Sequence, residues 1–146
     1  MQKNKNKKKR LVVDANAWIS SLMSPGFQIR LEIVFDAEFH LLVSEGLFKD
    51  LAKALCKPKV AKKITWSDYE KLVSRLISVA EHIEVRSVID VCRDPEDNFL
   101  LALAKDGNAD YLLTGDHDLL VIKEFGKTKI VSMSDFEASY FLTPPE

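Results

Sequence analysis

The chain has 146 residues, 47% of them hydrophobic and 29% charged, a size that fits one domain able to bury a core of its own. Its two cysteines, Cys56 and Cys92, form no CxxC pattern and have no neighbouring histidine, which argues against a disulfide framework or a zinc site and favours a reducing compartment. The formal net charge of −1 hides an asymmetry: six basic residues among the first ten leave the remainder with 15 basic and 22 acidic side chains, a net −7.

Residues 1–9 read as a basic, disordered leader, and residues 10–146 as a single domain. A basic arm can attract nucleic acid by releasing counterions, although such runs are more often simply solvated. The apolar run Leu11 to Val13 is cut off by Asp14, far short of a signal-peptide core or a membrane span, so a cytoplasmic protein with no membrane partner is expected.

Arg10 to Asp14 reads as a short buried strand, followed by a helix over Ala15 to Met23 that Ser24-Pro25-Gly26 ends. A second helical segment carries Ile29, Leu31, Ile33, Val34 and Phe35. A second strand, Phe39 to Val43, stops at Ser44, which caps an amphipathic helix from Glu45 to Cys56. A basic stretch from Lys57 to Lys63 precedes Ser67-Asp68-Tyr69-Glu70, which has the form of a capping box opening a helix to Ala80. Ile83, Val85 and Val88 suggest an extended segment. Asp94 and Pro95 then start a helix through Phe99 to Ala104, with Asp94 as its cap and Pro95 at its first position. Gly107 and Asn108 end it. Tyr111 to Leu113 is a third strand, Asp118 to Phe125 a short helix, Lys129 to Val131 a last strand, and a terminal helix begins near Asp135. Strands separated by helices require crossover connections, hence a mainly parallel sheet with helices on both faces: a three-layer α/β/α domain. The continuous apolar strands agree with burial of both sheet faces.

In such sheets ligands bind beyond the carboxyl ends of the strands. Asp14 ends the first strand, Glu45 follows the second by two residues, and Asp116 follows the third after Thr114 and Gly115. Asp97 begins a helix whose N-terminus falls at the same edge. Asp118 and Asn16 stand two residues beyond Asp116 and Asp14, as further ligands or orienting groups. Taken singly, each acid has an ordinary explanation as a cap, a partner of the helix dipole or a turn residue. Their number and common location do not, because gathered carboxylates repel and lose hydration at a cost that folding does not require. A cation offsets that cost, and an all-oxygen set favours magnesium or manganese over zinc. Two such ions about 3.5 to 4 Å apart can activate water and stabilise a phosphodiester under attack.

Four blocks, Val12-Val13-Asp14-Ala15-Asn16, Val43-Ser44-Glu45, Asp94-Pro95-Glu96-Asp97-Asn98 and Ala109 to Leu120, occur in the order found in PIN-domain ribonucleases. Across nearly the whole chain the sequence resembles the VapC-type toxins of prokaryotic toxin-antitoxin pairs. The resemblance implies a metal-dependent endoribonuclease in which Asp14, Glu45, Asp97 and Asp116 are catalytic and bind Mg2+ or Mn2+, with Asp118 as a fifth metal-binding acid. It also implies an RNA substrate, a homodimer and neutralisation by a cognate antitoxin protein. Ala15 departs from the Thr or Ser often found after the first Asp, which removes one supporting hydrogen bond and leaves the metal site itself intact. The basic leader is a second departure.

Other residues take the plainer reading. His117 lies between two acids but reads as a surface neighbour, because metal-activated water needs no histidine base. Trp18 and Phe99 fall within apolar helical patterns and read as core. Lys57, Lys59, Lys62 and Lys63 form either a solvated loop or a ridge that contacts RNA. A phosphoaspartyl enzyme needs a second acid where Asn16 stands, a receiver domain needs paired acids near the first strand, and no GxGxxG follows any strand. The rival of a different class is a PIN-like module that binds RNA or protein without catalysis.

Overall fold

The computed structural model describes residues 8–142, so residues 1–7 of the expected leader lie outside the described residues; Lys9 opens the first strand. In chain order the elements are β1 Lys9–Val13, α1 Ala15–Met23, α2 Phe27–Val34, β2 Phe39–Val43, α3 Glu45–Leu55, α4 Pro58–Ala61, α5 Trp66–Val79 and β3 Glu81–His82. A 3-10 turn, Pro95–Asp97, leads into α6 Asn98–Asp106, followed by β4 Tyr111–Leu113, α7 His117–Leu120, β5 Glu124–Phe125, β6 Thr128–Val131 and α8 Met133–Leu142. The six strands form one sheet in the order β3-β2-β1-β4-β6-β5, parallel throughout except for the β5–β6 hairpin.

Burial along the central strands shows why the sheet needs a layer on each face. Successive strand residues point to opposite faces, yet Leu11, Val12 and Val13 are all buried, as are Leu41, Leu42 and Val43. The expected three-layer α/β/α architecture with a mainly parallel sheet is therefore the observed one. Trp18, Leu47, Leu51, Leu76, Leu101 and Leu103 pack from the helices onto this sheet. Trp18 and Phe99 belong to that packing, as their apolar patterns require. Among the described residues, no helix is long and apolar enough to cross a membrane.

The differences from the sequence reading are local and have local causes. The basic stretch after α3 contains one helical turn, α4, because Pro58 sits at its first position, where no N–H is needed. The cap of α5 is Thr65, whose Oγ1 accepts the Asp68 N–H at 3.1 Å, so the helix starts one residue before Ser67. The expected helix from Asp118 to Phe125 stops at Leu120, and Glu124 pairs with Lys129 and Phe125 with Thr128 as a hairpin. Positive φ angles at Lys123 (67°) and Gly126 (60°) make that change of direction.

Residues 83–94 contain no helix or strand and run along α6 as an extended strap. At the C-terminal end of α6, the Asp106 carboxylate accepts the backbone N–H groups of Arg86 (2.6 Å) and Ser87 (2.8 Å) and a short bond from the Ser87 hydroxyl. Those bonds hold the Asp106 carboxyl below its usual range. At the other end, Asn98 Oδ1 accepts the N–H groups of Val91 (3.0 Å) and Cys92 (2.8 Å). Asn98→Ala strands both donors and is expected to lower the urea-unfolding free energy by about 2 to 4 kcal/mol. A Val88→Ala control on the same strap, at a residue 94% exposed, should change it by less than about 0.5 kcal/mol. Equal losses in the two variants would show that Asn98 does not pin the strap.

Candidate metal centre

The carboxyl end of the sheet is where β1, β2 and β4 release the chain into helices. Asp14, the residue after β1, caps α1: its Oδ1 accepts the Asn16 N–H at 3.2 Å, and its own N–H reaches Leu113 O at 2.9 Å, holding β1 against β4. Asp14 Oδ2 accepts a 2.8 Å bond from Thr114 Oγ1. That same hydroxyl oxygen accepts the Asp116 N–H at 3.0 Å, so one buried threonine positions both acids. Asp116 in turn caps α7, accepting the Asp118 N–H at 2.9 Å. Burial pushes the Asp14 carboxyl above its usual range, the bonds from Thr114 and Asn16 oppose this, and the charges of Asp116 and Asp50 add to it.

Asp97 arrives from the strap. Asp94 caps the 3-10 turn by accepting the Glu96 N–H at 3.0 Å, and Pro95 fixes the first position. The turn delivers Asp97 to the acid edge with 9% of its surface exposed. Its carboxyl is raised from the usual 3.8 to about 7, first by burial, then by the hydrogen bond and charge of Asp116, and further by the charges of Asp94 and Asp14. Carboxylate oxygens of Asp97, Asp116 and Asp118 all lie within 4.8 Å of one another. Asp97 Oδ2 is buried and has no hydrogen-bond partner. An acceptor without a donor, facing two further carboxylates, fits a cation: the set is all oxygen, suited to magnesium or manganese, and these three residues would hold it.

The structure does not bring Glu45 into this group. Glu45 is the first residue of α3, its side chain is 85% exposed, and its carboxylate pairs with Lys49 one turn along at 3.2 Å. Asp50, five residues later, is the acid of α3 whose charge reaches Asp14. Its carboxyl is raised chiefly by burial, with Lys53 opposing and Glu96 reinforcing. The difference is rotational, since five residues turn a helix by about 140°. A sequence signal for Asp50 exists: Leu47, Asp50 and Ala54 follow the three-and-four spacing of the inward face, and Leu47 and Ala54 are buried. The helix is also pressed close at its start, where a Cβ on Gly46 would lie 2.7 Å from the Phe99 ring.

A cavity of about 510 Å3 opens beside the acids. It runs from Asp14 and Asp116 past Asn16 and Ser20 to Arg30, whose Nε pairs with Glu137 at 2.9 Å. Asn16 is exposed in its wall, and His117 is exposed on α7 as a surface neighbour. Thr114, which bonds Asp14 and Asp116, and Asp50, whose charge reaches Asp14, were not identifiable from turn and strand-end positions alone.

Residues 10–118 match the PIN domain family. An uncharacterized protein of Methanocaldococcus jannaschii is 28% identical over 130 residues, an alignment that covers 87% of this chain and 83% of its own length.

The raised Asp97 carboxyl makes stability depend on pH. Because the folded value of about 7 lies above the usual 3.8, the folded state holds a proton that the unfolded chain releases. The resulting stabilisation is complete below about pH 4 and is lost as the pH rises through 7. Metal-free Asp97→Asn is therefore expected to melt higher than the wild type at pH 8, with the gap closing towards pH 5. Manganese should raise the wild-type melting temperature at pH 8 and leave that of Asp97→Asn nearly unchanged. Calorimetric scans at the two pH values, with chelator and with manganese, would read this; a pH-independent gap would overturn it.

Proposed function

The chain belongs to the PIN domain family, whose members are generally metal-dependent nucleases, and on that premise we propose that it is a divalent-metal-dependent endoribonuclease. The observation that carries this reading is the trio of close carboxylates Asp97, Asp116 and Asp118, one of which, Asp97, keeps a buried oxygen without a hydrogen-bond partner. Asp97, Asp116 and Asp118 would hold Mg2+ or Mn2+, with Asp14 beside them. Asp50 takes the place on α3 expected for Glu45. A bound ion supplies the Lewis acidity that ionises water near neutral pH and offsets charge on the phosphodiester.

The protein's own residues do the rest. Thr114 fixes the Asp14 carboxylate and the backbone of Asp116, so that little reorganisation is needed when the substrate arrives. The cavity leads the strand to the acids past Asn16, Ser20 and Ser21, and Arg30, ion-paired with Glu137, is the cation at its far end that a phosphate meets. We take residues 10–146 as one catalytic domain in the cytoplasm, acting as a homodimer and as the toxin of a type II toxin-antitoxin pair, held inactive by a cognate antitoxin protein. What supports the toxin role is the resemblance of the sequence blocks to VapC-type toxins.

The test is cleavage of a mixed RNA pool by purified protein, with manganese and with chelator. Wild type should cut only with metal. Asp97→Asn and Asp50→Asn should lose about a hundredfold or more, because each removes a charge from the acid edge. Glu45→Gln should stay within about twofold of wild type, as expected of an exposed residue paired only with its helical neighbour. Loss in Glu45→Gln with full activity in Asp50→Asn would reverse the assignment on α3. Folded wild type that binds RNA but cuts none with metal would favour the non-catalytic binding module.

A further inference from the structure

Away from the acid edge, the turn between α3 and α5 concentrates positive charge on an acidic body. Val60 and Ile64 are buried, and the Ile64 N–H reaches Val60 O at 3.0 Å, so one helical turn anchors this segment to the core. Lys57, Lys59, Lys62 and Lys63 are all exposed, and among the described residues none of them forms an ion pair. Trp66 opens α5 three residues after Lys63 and is 66% exposed. Its ring is braced by Tyr69, with centroids 5.5 Å apart.

This combination has a chemical meaning. A tryptophan left largely in water keeps apolar surface hydrated, and a braced ring loses little freedom when something stacks on it. Four unpaired lysines beside it attract phosphates and repel cationic surfaces. A flat π-face next to unpaired positive charge is how proteins hold single-stranded nucleic acid without reading its sequence: bases stack and the backbone is neutralised. The patch follows α3 in the chain, and Asp50 lies about 7.5 Å of helix axis before that helix ends at Leu55.

We propose that Trp66, with Lys57, Lys59, Lys62 and Lys63, forms a second contact for single-stranded RNA outside the acid-lined cavity, one base stacking on the indole and the flanking phosphates meeting the lysines. This rests on the ribonuclease reading for the identity of the strand, and it assigns to the patch a share of the affinity for substrate.

The experiment uses full-length protein with chelator present, so that nothing is cut, and a short oligouridylate as the probe. The chain has two tryptophans, and Trp18 is 1% exposed, so quenching of the emission by RNA reports Trp66. Quenching is expected. By fluorescence anisotropy of the labelled oligonucleotide, Trp66→Ala should weaken binding about tenfold, within the range for loss of one stacked base. Lys62→Gln/Lys63→Gln should lower the slope of log affinity against log salt by about 1.4. Melting temperatures equal to wild type would show that both variants are folded.

If wild type cuts RNA with metal but its emission is not quenched, or if both variants bind like wild type, the patch is not an RNA contact, and the nuclease assignment stands without it. If RNA is neither bound nor cut, both readings fall together. If Trp66→Ala changes the sedimentation of the protein and not its affinity for RNA, the patch is a contact between protein surfaces, and the proposal is overturned.

Discussion

Carboxylates whose oxygens lie within 4.8 Å of one another repel, and the repulsion grows as water is withdrawn from between them. Much of the surrounding architecture serves to hold these groups together against that force. Parallel β1 and β4 end side by side, which brings Asp14 and Asp116 to one edge. Thr114 bridges the two acids with a single hydroxyl. The helix starts supply backbone N–H groups to the carboxylates of Asp14, Asp94 and Asp116, which blunts part of the charge. Asp14 is raised as well, but Asp97 receives no donor on Oδ2 and its carboxyl is raised to about 7, so the unrelieved repulsion of the cluster is concentrated there.

The sheet is built so that this edge can be polar while everything behind it is dry. Three consecutive buried residues on β1 and three on β2 lock the strands between two helical layers. At the opposite end of the strands, Arg10 closes the structure with different chemistry. Its Nε donates to Gly107 O at 2.7 Å and its guanidinium pairs with Glu81 at 3.1 Å, while Glu81 also meets His40 Nε2 at 2.8 Å. One end of the sheet is thus neutralised internally by its own cations. The other is left negative, and that difference gives the molecule a functional face.

Much of this was legible in the sequence, and the reasons are specific. The apolar runs Leu11 to Val13 and Leu41 to Val43 could only be buried strands, and acids placed directly after strands share an edge whatever the helix geometry, so Asp14 and Asp116 are located by topology alone. Asp97 was legible because Asp94 and Pro95 mark a helix start without ambiguity. The acid of α3 was not, because strand-end counting finds Glu45 at the first helical position, whereas rotation about the helix decides which carboxylate faces inward. Asp50 shares the inward row with Leu47 and Ala54. The β5–β6 hairpin was obscured for a similar reason: Leu119, Leu120 and Ile122 mimic helical spacing, and only the positive φ at Lys123 and Gly126 reverses the chain. Thr114 has no sequence mark at all, since its value lies in the two acids it touches.

The strap along α6 is fastened near both ends, to Asp106 at Arg86 and Ser87 and to Asn98 at Val91 and Cys92. Spacing along the chain there is consequently uncoupled from spacing in the site. Residues added beside Val88, which is almost wholly in solvent, would lengthen a surface bight whose closure cost grows only logarithmically, while Val91 and Cys92, ahead of Asp94 to Asp97, stay where Asn98 holds them. That makes the crest of the strap a natural grafting point, where an epitope or a binding peptide could be spliced in without disturbing the acids.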